Sequence, residues 1–378
     1  MENALKIKNR NSGIDLLKII AIFGIVLCHT VPCFEHFDLG ISTIGYLPCT
    51  TAPLSFQELI LLFFRNFGQV GNLIFIICSA WFLSDSQKLK KEKISCMIAD
   101  SFMISVIYLA VFFICGIKLS FGKAIQLVFP LTYEVNWFIM CYLLMYAIHP
   151  LLNMIIEKQS KKTNLSYSIA FITLYMFIGF IKKGSYYYST LIGFIGIYFI
   201  VAFLKKYMLN TISNKKYNYI ALCFGIVGWI GFNFSINILG TYGSFFQHKM
   251  KHWSYIMNPL FFLVAFSLFN LFRQLNFKSK TINYLSSLTL LIYIIHVNPF
   301  IQCYLKIVLF NNIYTTYTYK YVVLWIVLFG IILFLLTVAA AIIYNKILQP
   351  IIHKLANKII FILTKIYLKV ENKLLKLD

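Results

Sequence analysis

The stretch Gly13-Ile-Asp-Leu-Leu-Lys-Ile-Ile-Ala-Ile-Phe-Gly-Ile-Val-Leu-Cys-His29 is apolar enough to enter a membrane, yet it carries Asp15, Lys18 and His29. On a helix that advances about 100° and 1.5 Å per residue, the step from Lys18 to His29 closes to within about 20° of one face and climbs about 16 Å. Asp15 lies on that face too. An ionisable side chain at membrane depth costs at least about 2.5 kcal/mol, so three in one stripe imply a protein-lined or water-filled path facing a bundle interior. A competing reading puts Asp15 and Lys18 in the inner headgroup layer, with Lys18 snorkelling. It does not cover His29, near the other end of the helix.

Composition agrees with lipid as the solvent. The 378 residues are 60% hydrophobic and 12% charged, with mean hydropathy +0.79, which leaves too little polar surface to cover a soluble globule. The expected fold class is an all-α polytopic membrane protein of about ten transmembrane helices, drawn at 14–34, 59–83, 97–117, 136–156, 167–181, 189–204, 219–240, 255–272, 285–305 and 321–345. A net charge of +22 would suggest nucleic acid in a soluble chain, but here it is read against topology. With the N-terminus in the cytoplasm, 24 of the 34 Lys and Arg fall in cytoplasmic segments and eight in outer loops, and Lys18 and Arg65 lie inside spans. That bias follows the positive-inside rule, puts both termini in the cytoplasm, and leads us to expect a multi-pass cell-membrane protein, bacterial cytoplasmic membrane included, with no nucleic-acid partner.

Residues 1–348 are expected to form the ten-helix membrane domain. Residues 349–378 repeat apolar pairs among lysines and read as a basic amphipathic cytoplasmic tail against membrane lipids. The first apolar run is broken by Asp15 and Lys18 and has no small-x-small cleavage site, so it is expected to stay as a span. The nine cysteines are scattered with no CxxC spacing, and no metal is expected. Cys33 and Cys49 share the first outer loop, where a disulfide is compatible with the sequence.

Along the chain, residues 35–58 hold Glu35, Asp38 and Glu58 with no Lys or Arg, as part of an outer vestibule would. Arg65 is one of three arginines, and its planar, always-charged fork inside a span reads either as functional or as snorkelling to the outer headgroups. Glu134 precedes Trp137 at an outer helix mouth and could orient an imidazole or a sugar hydroxyl. His149, just before Pro150, suits a structural histidine at a helix break as well as a ligand contact. His296 is a second histidine in an apolar helix, followed by Asn298-Pro299. The aromatic, basic loops around 182–188 and 247–253 suit either carbohydrate stacking or the interfacial aromatic belt.

Four places resemble the acyltransferase 3 family of integral-membrane acyltransferases, many of which O-acetylate extracytoplasmic glycans. They are Lys18-x10-His29; Arg65 with Phe75-Ile-Ile-Cys-Ser-Ala-Trp-Phe82; Asn136-Trp-Phe with His149-Pro150 and Asn153; and Ile292-Tyr-Ile-Ile-His296. Ala80 stands where the family usually has Gly, and Lys18 where Arg is commoner. The resemblance implies a cytoplasmic acyl-CoA donor, usually acetyl-CoA as co-substrate rather than a permanently bound cofactor. It also implies an acceptor hydroxyl on a cell-surface glycan, with polysaccharide-synthesis proteins as candidate partners. On this reading His29 is the base and Arg65 the electrostatic stabiliser, supported by Glu134 and His296. Lys18, His149 and Ser79 would face the donor.

A polysaccharide flippase or polymerase also has many spans, in-membrane cations and aromatic loops, and a proton-coupled transporter could use Asp15, His29 and His296 as a relay. Neither produces an acyl ester, which mild alkali releases while glycosidic bonds survive. For topology, Gly40→Cys and Lys90→Cys on a background without native cysteines are expected to differ in intact cells: a membrane-impermeant reagent labels position 40 and not position 90. The reverse pattern would overturn the orientation.

Overall fold

A computed structural model describes residues 10–31, 54–133, 135–178, 190–247, 255–305 and 321–374, and among these all regular structure is helical. In chain order the helices are α1 (Ser12–Thr30), α2 (Phe56–Leu83), α3 (Lys91–Ile114), α4 (Phe121–Val128), α5 (Trp137–Lys158), α6 (Lys161–Phe171), α7 (Thr190–Tyr207), α8 (Leu209–Ser213), α9 (Lys215–Tyr242), α10 (Ser244–Gln247), α11 (Pro259–Arg273), α12 (Lys280–Ser287), α13 (Thr289–His296), α14 (Val322–Ile347) and α15 (Gln349–Leu374). Seven of them, α1, α2, α3, α5, α7, α9 and α14, are long and apolar enough to cross a membrane. The other three expected spans coincide with shorter or interrupted segments. Span 167–181 contains the π-turn Ile172–Phe177 after α6, span 255–272 is the 15-residue α11, and span 285–305 is divided between α13 and a second π-turn at Phe300–Leu305. Cys33 and Cys49 lie outside the described residues.

Helix α1 is the centre of the bundle, packed against α2, α11, α12, α13 and α14. Its start is pinned at both sides of the first turn. The Asn11 side chain accepts from Gly13 and Ile14 N–H and donates to Arg273 O at 2.8 Å, while Ser12 Oγ accepts from Ser279 N–H at 2.9 Å. These bonds satisfy amides that the helix itself leaves open and tie α1 to the ends of α11 and α12. A capping box between Ser55 and Glu58 starts α2 in the same way.

The α1–α2 contact is the most extensive among the described helices, and glycines bring the two backbones close. A methyl on Gly71 would stand 2.6 Å from Ala21 O and 2.9 Å from Ile25 Cγ1; one on Gly24 would stand 2.7 Å from the Phe67 ring. Where lipid supplies no hydrophobic drive between helices, such small residues gain van der Waals contact by letting backbones meet. Gly68 packs on Cys28 in this antiparallel pair. That register puts Arg65, three residues further out, within about one helical turn of the depth of His29.

Helix α15 is held to the bundle rather than resting on lipid alone. It packs along α3, where the buried Asp100 accepts from Tyr344 Oη at 3.0 Å and Gln349 Nε2 at 2.9 Å, and meets His353 Nε2 at 2.9 Å. Ile351, Leu355, Ile359, Ile362 and Ile366 remain exposed, with Lys354, Lys358 and Lys365 beside them on the helix. That pattern is amphipathic and suits an interface.

Candidate functional site

Three helices carry polar stripes toward the same interior. On α1, Lys18 and His29 share a face. On α2, Arg65, Asn72 and Ser79 follow one another at seven-residue steps, which drift only about 20° each around a helix. On α13, Thr289, Tyr293 and His296 stand at i, i+4 and i+7.

At the inner end, Asp15 is 2% exposed and is the hub of a polar cluster. Its carboxylate accepts from Arg10 Nε, from Arg10 Nη2 at 3.1 Å and from Ser286 Oγ at 2.7 Å, and faces Lys18 Nζ at 3.7 Å. The Asn283 amide, oriented to satisfy its neighbours, adds a bond to Asp15 Oδ2 at 3.1 Å. Asp15 is therefore enclosed by protein, with two cations and two neutral donors in place of its water. Two cavities meet at Lys18. One, of about 560 Å³, is lined by Arg10, Asp15, Lys18, Trp81 and Arg273 among others. The other, of about 320 Å³, runs past Lys18, Lys93, Ser79 and Tyr142 to Phe75, Phe138 and Tyr293. Lys93 Nζ donates to Tyr142 Oη at 2.6 Å, and the Arg273 guanidinium lies 4.6 Å from the Trp81 ring centre. The two cavities are thus lined by four cations against one buried carboxylate, a field that attracts anions.

Further out, the rings of His29 and His296 meet, His29 Nδ1 to His296 Nε2 at 2.9 Å. His296 is fully buried, and its Nδ1 lies 2.8 Å from Ile292 O. A carbonyl oxygen only accepts, so the network assigns the proton of His296 to Nδ1 and makes Nε2 the acceptor. His29 must then donate from Nδ1, which leaves the lone pair on its Nε2. The break after α13 explains why these carbonyls are available. Pro299 has no N–H for Ile295 O, which Tyr108 Oη takes instead at 3.2 Å. Asn298 Oδ1 captures Phe300 N–H, and His296 O receives Gln302 Nε2 at 2.6 Å.

The sequence-derived candidates thus separate into groups. His29, His296 and, by depth, Arg65 lie toward the C-terminal end of α1. Arg65 is only 5% exposed, so the snorkelling reading does not apply to it. Lys18 and Ser79 line the inner cavity, with Ser79 Oγ donating to Phe75 O at 2.8 Å. His149 lines neither cavity: it is fully buried in α5, its Nδ1 bonds Tyr146 O at 2.5 Å, and its Nε2 meets no partner among the described residues. Glu134 lies outside the described residues. Sequence reasoning missed Arg10, Lys93, Arg273 and Tyr293. Three of these were read only as topology charges, and Tyr293 only as part of a motif.

The bundle thus combines a cationic cavity at one end of α1 with a histidine pair toward the other. Residues 11–345 match the model of the acyltransferase 3 family, described as an acyltransferase domain, and the chain belongs to that family. It is therefore a membrane acyltransferase. Comparison with curated proteins and with solved structures gave no match.

The Asp15 cluster yields a stability test. Asp15→Ala leaves Arg10 and Lys18 facing each other without a counter-ion and is expected to destabilise the detergent-solubilised protein by about 2 kcal/mol. Adding Arg10→Gln should recover part of that loss, because the two positions are coupled. Strictly additive losses would mean that the pair does not hold α1.

Proposed function

We propose that this protein moves an acyl group, acetyl in the simplest case, from cytoplasmic acyl-CoA to a hydroxyl of an extracytoplasmic cell-surface glycan, in the bacterial cytoplasmic membrane. The observation that carries the reading is a cationic cavity at Lys18 whose wall reaches Tyr293, together with an oriented histidine pair, His29 and His296, against which the Tyr293 ring packs. The phosphates of CoA are polyanionic and suit Lys18, Lys93, Arg10 and Arg273, while the apolar lower cavity, with Ser79 on its wall, suits the thioester arm.

In this mechanism His29 Nε2 takes the proton of the acceptor hydroxyl as its oxygen attacks the thioester carbonyl carbon. The carbonyl π pair moves onto oxygen, the new C–O bond forms, and collapse expels the CoA thiolate, to which the proton held by His29 can pass. His296 is a positioning residue: through the Nδ1–H of His29 it fixes which nitrogen is the base, and it accepts from the imidazolium that forms. Arg65, at the depth of His29, supplies fixed positive charge for the developing oxyanion. Glu134 retains its proposed supporting role on the acceptor side, and polysaccharide-synthesis proteins would deliver the glycan.

The two ends should respond differently to mutation. His29→Ala is expected to lower kcat about 10²–10⁴-fold at saturating donor with normal protein abundance. Lys18→Ala is expected mainly to raise the donor KM, and Lys18→Arg to keep most activity, because charge is what matters there. Assays in reconstituted vesicles with alkali-labile ester as the readout check both. Near-wild-type acylation by His29→Ala would remove the base. A Lys18→Ala enzyme with unchanged donor KM would make Lys18 only a partner of Asp15.

A further inference from the structure

Tyr293 stands between the Lys18 cavity, part of whose wall it forms, and His296, and has no role in the mechanism above. It is 6% exposed, lines the deep end of the Lys18 cavity, and sets its ring edge-on to His296, with centroids 5.6 Å apart and planes at 87°. Phe138, also on the cavity wall, braces the far side of the ring at 5.4 Å between centroids, and is itself packed on Phe194 at 5.3 Å. The phenol makes no hydrogen bond to any described residue. A tyrosine hydroxyl in an apolar wall normally finds a hydrogen-bond partner, from protein, water or ligand. Here the hydroxyl belongs to a side chain facing a cavity, so a ligand can supply the missing bond.

Resting on the acyl-CoA reading, we propose that Tyr293 is a further catalytic residue whose hydroxyl donates a hydrogen bond to the thioester carbonyl oxygen of the acyl donor. The placement suits that atom. A donor whose phosphates sit among the inner cations and whose arm follows the apolar cavity ends its reach at Tyr293, one ring away from the histidine pair. As the acceptor oxygen attacks, the carbonyl π pair localises on oxygen, and the phenol O–H strengthens its bond to that oxyanion without giving up its proton. The bond is worth most in the transition state because the surroundings are apolar and the donor is already held by packing.

The test uses the full-length protein in vesicles with short-chain acyl-CoA as donor. Tyr293→Phe keeps the ring against His296 and Phe138 and removes only the oxygen. Loss of one such donor typically costs about 10²–10³-fold in turnover. We expect a fall in kcat of that order, an unchanged donor KM, unchanged affinity for free CoA, which has no thioester carbonyl, and a melting temperature equal to wild type. Transfer by Tyr293→Phe within about twofold of wild type would remove the hydroxyl from the mechanism, as would an equal loss of free-CoA affinity, which would mean that the ring merely shapes the cavity. Phe194→Leu, behind Phe138 and off the cavity wall, serves as the packing control and should keep kcat much closer to wild type than Tyr293→Phe does. If wild type transfers acyl groups and His29→Ala does not, these outcomes judge Tyr293 alone. A wild-type protein that consumes no acyl-CoA overturns the donor reading and the role of Tyr293 together.

Discussion

The close contact of α1 with α2 is the constraint on which the rest depends. Lipid cannot hydrogen-bond to Asp15, Lys18, His29 or Arg65, so each must be enclosed by protein. Enclosure of α1 requires backbones to approach on one side while α11 to α14 close the others. Gly24, Gly68 and Gly71 permit it, since a side chain at Gly71 would collide with the Ala21 carbonyl, which cannot move aside as a flexible side chain can. The same register brings Arg65 to the depth of His29 and leaves Ser79 facing the cavity that Lys18 also lines. A helix pair packed on larger residues would hold these groups further apart.

The two ends of the path handle charge in opposite ways. At the N-terminal end of α1, full charges are kept and balanced: the buried Asp15 carboxylate is neutralised by Arg10 and Lys18 while Lys93 and Arg273 border the cavities. Toward the other end of α1, a backbone carbonyl sets the tautomer of His296, whose Nε2 accepts from His29 Nδ1. This asymmetry suits chemistry in which an anionic donor is gathered on one side and a base, uncharged until it accepts a proton, acts on the other. Pro299 links the fold to that arrangement, because the interrupted helix frees carbonyls that Tyr108 and Gln302 then satisfy around His296.

Much of this was legible in the residues, for identifiable reasons. The Lys18–His29 stripe is a matter of helical period, and the family motifs lie on it and on the facing helices. The pairing of His29 with His296 joins residues 267 apart and leaves no periodic trace. Whether Arg65 faces headgroups or interior depends on its neighbours, which spacing on one helix does not encode. Spans 167–181 and 285–305 read as continuous because hydropathy averages over a π-turn or a proline break, although Asn298-Pro299 was a visible warning. His149 attracted a donor role through its motif, yet it packs inside α5 away from both cavities. Arg10, Lys93 and Arg273 were hidden by their position at helix ends, where a basic residue is ordinarily an orientation signal.

The most direct measurement of the central claim is sidedness in sealed vesicles. Acyl-labelled acyl-CoA is supplied only on the side of Lys18, and a glycan acceptor is confined to the other. The account predicts alkali-labile label on the acceptor across an intact bilayer, abolished by His29→Ala. Ester formation only when donor and acceptor share a compartment would contradict a path that connects the Lys18 cavity to the histidine pair.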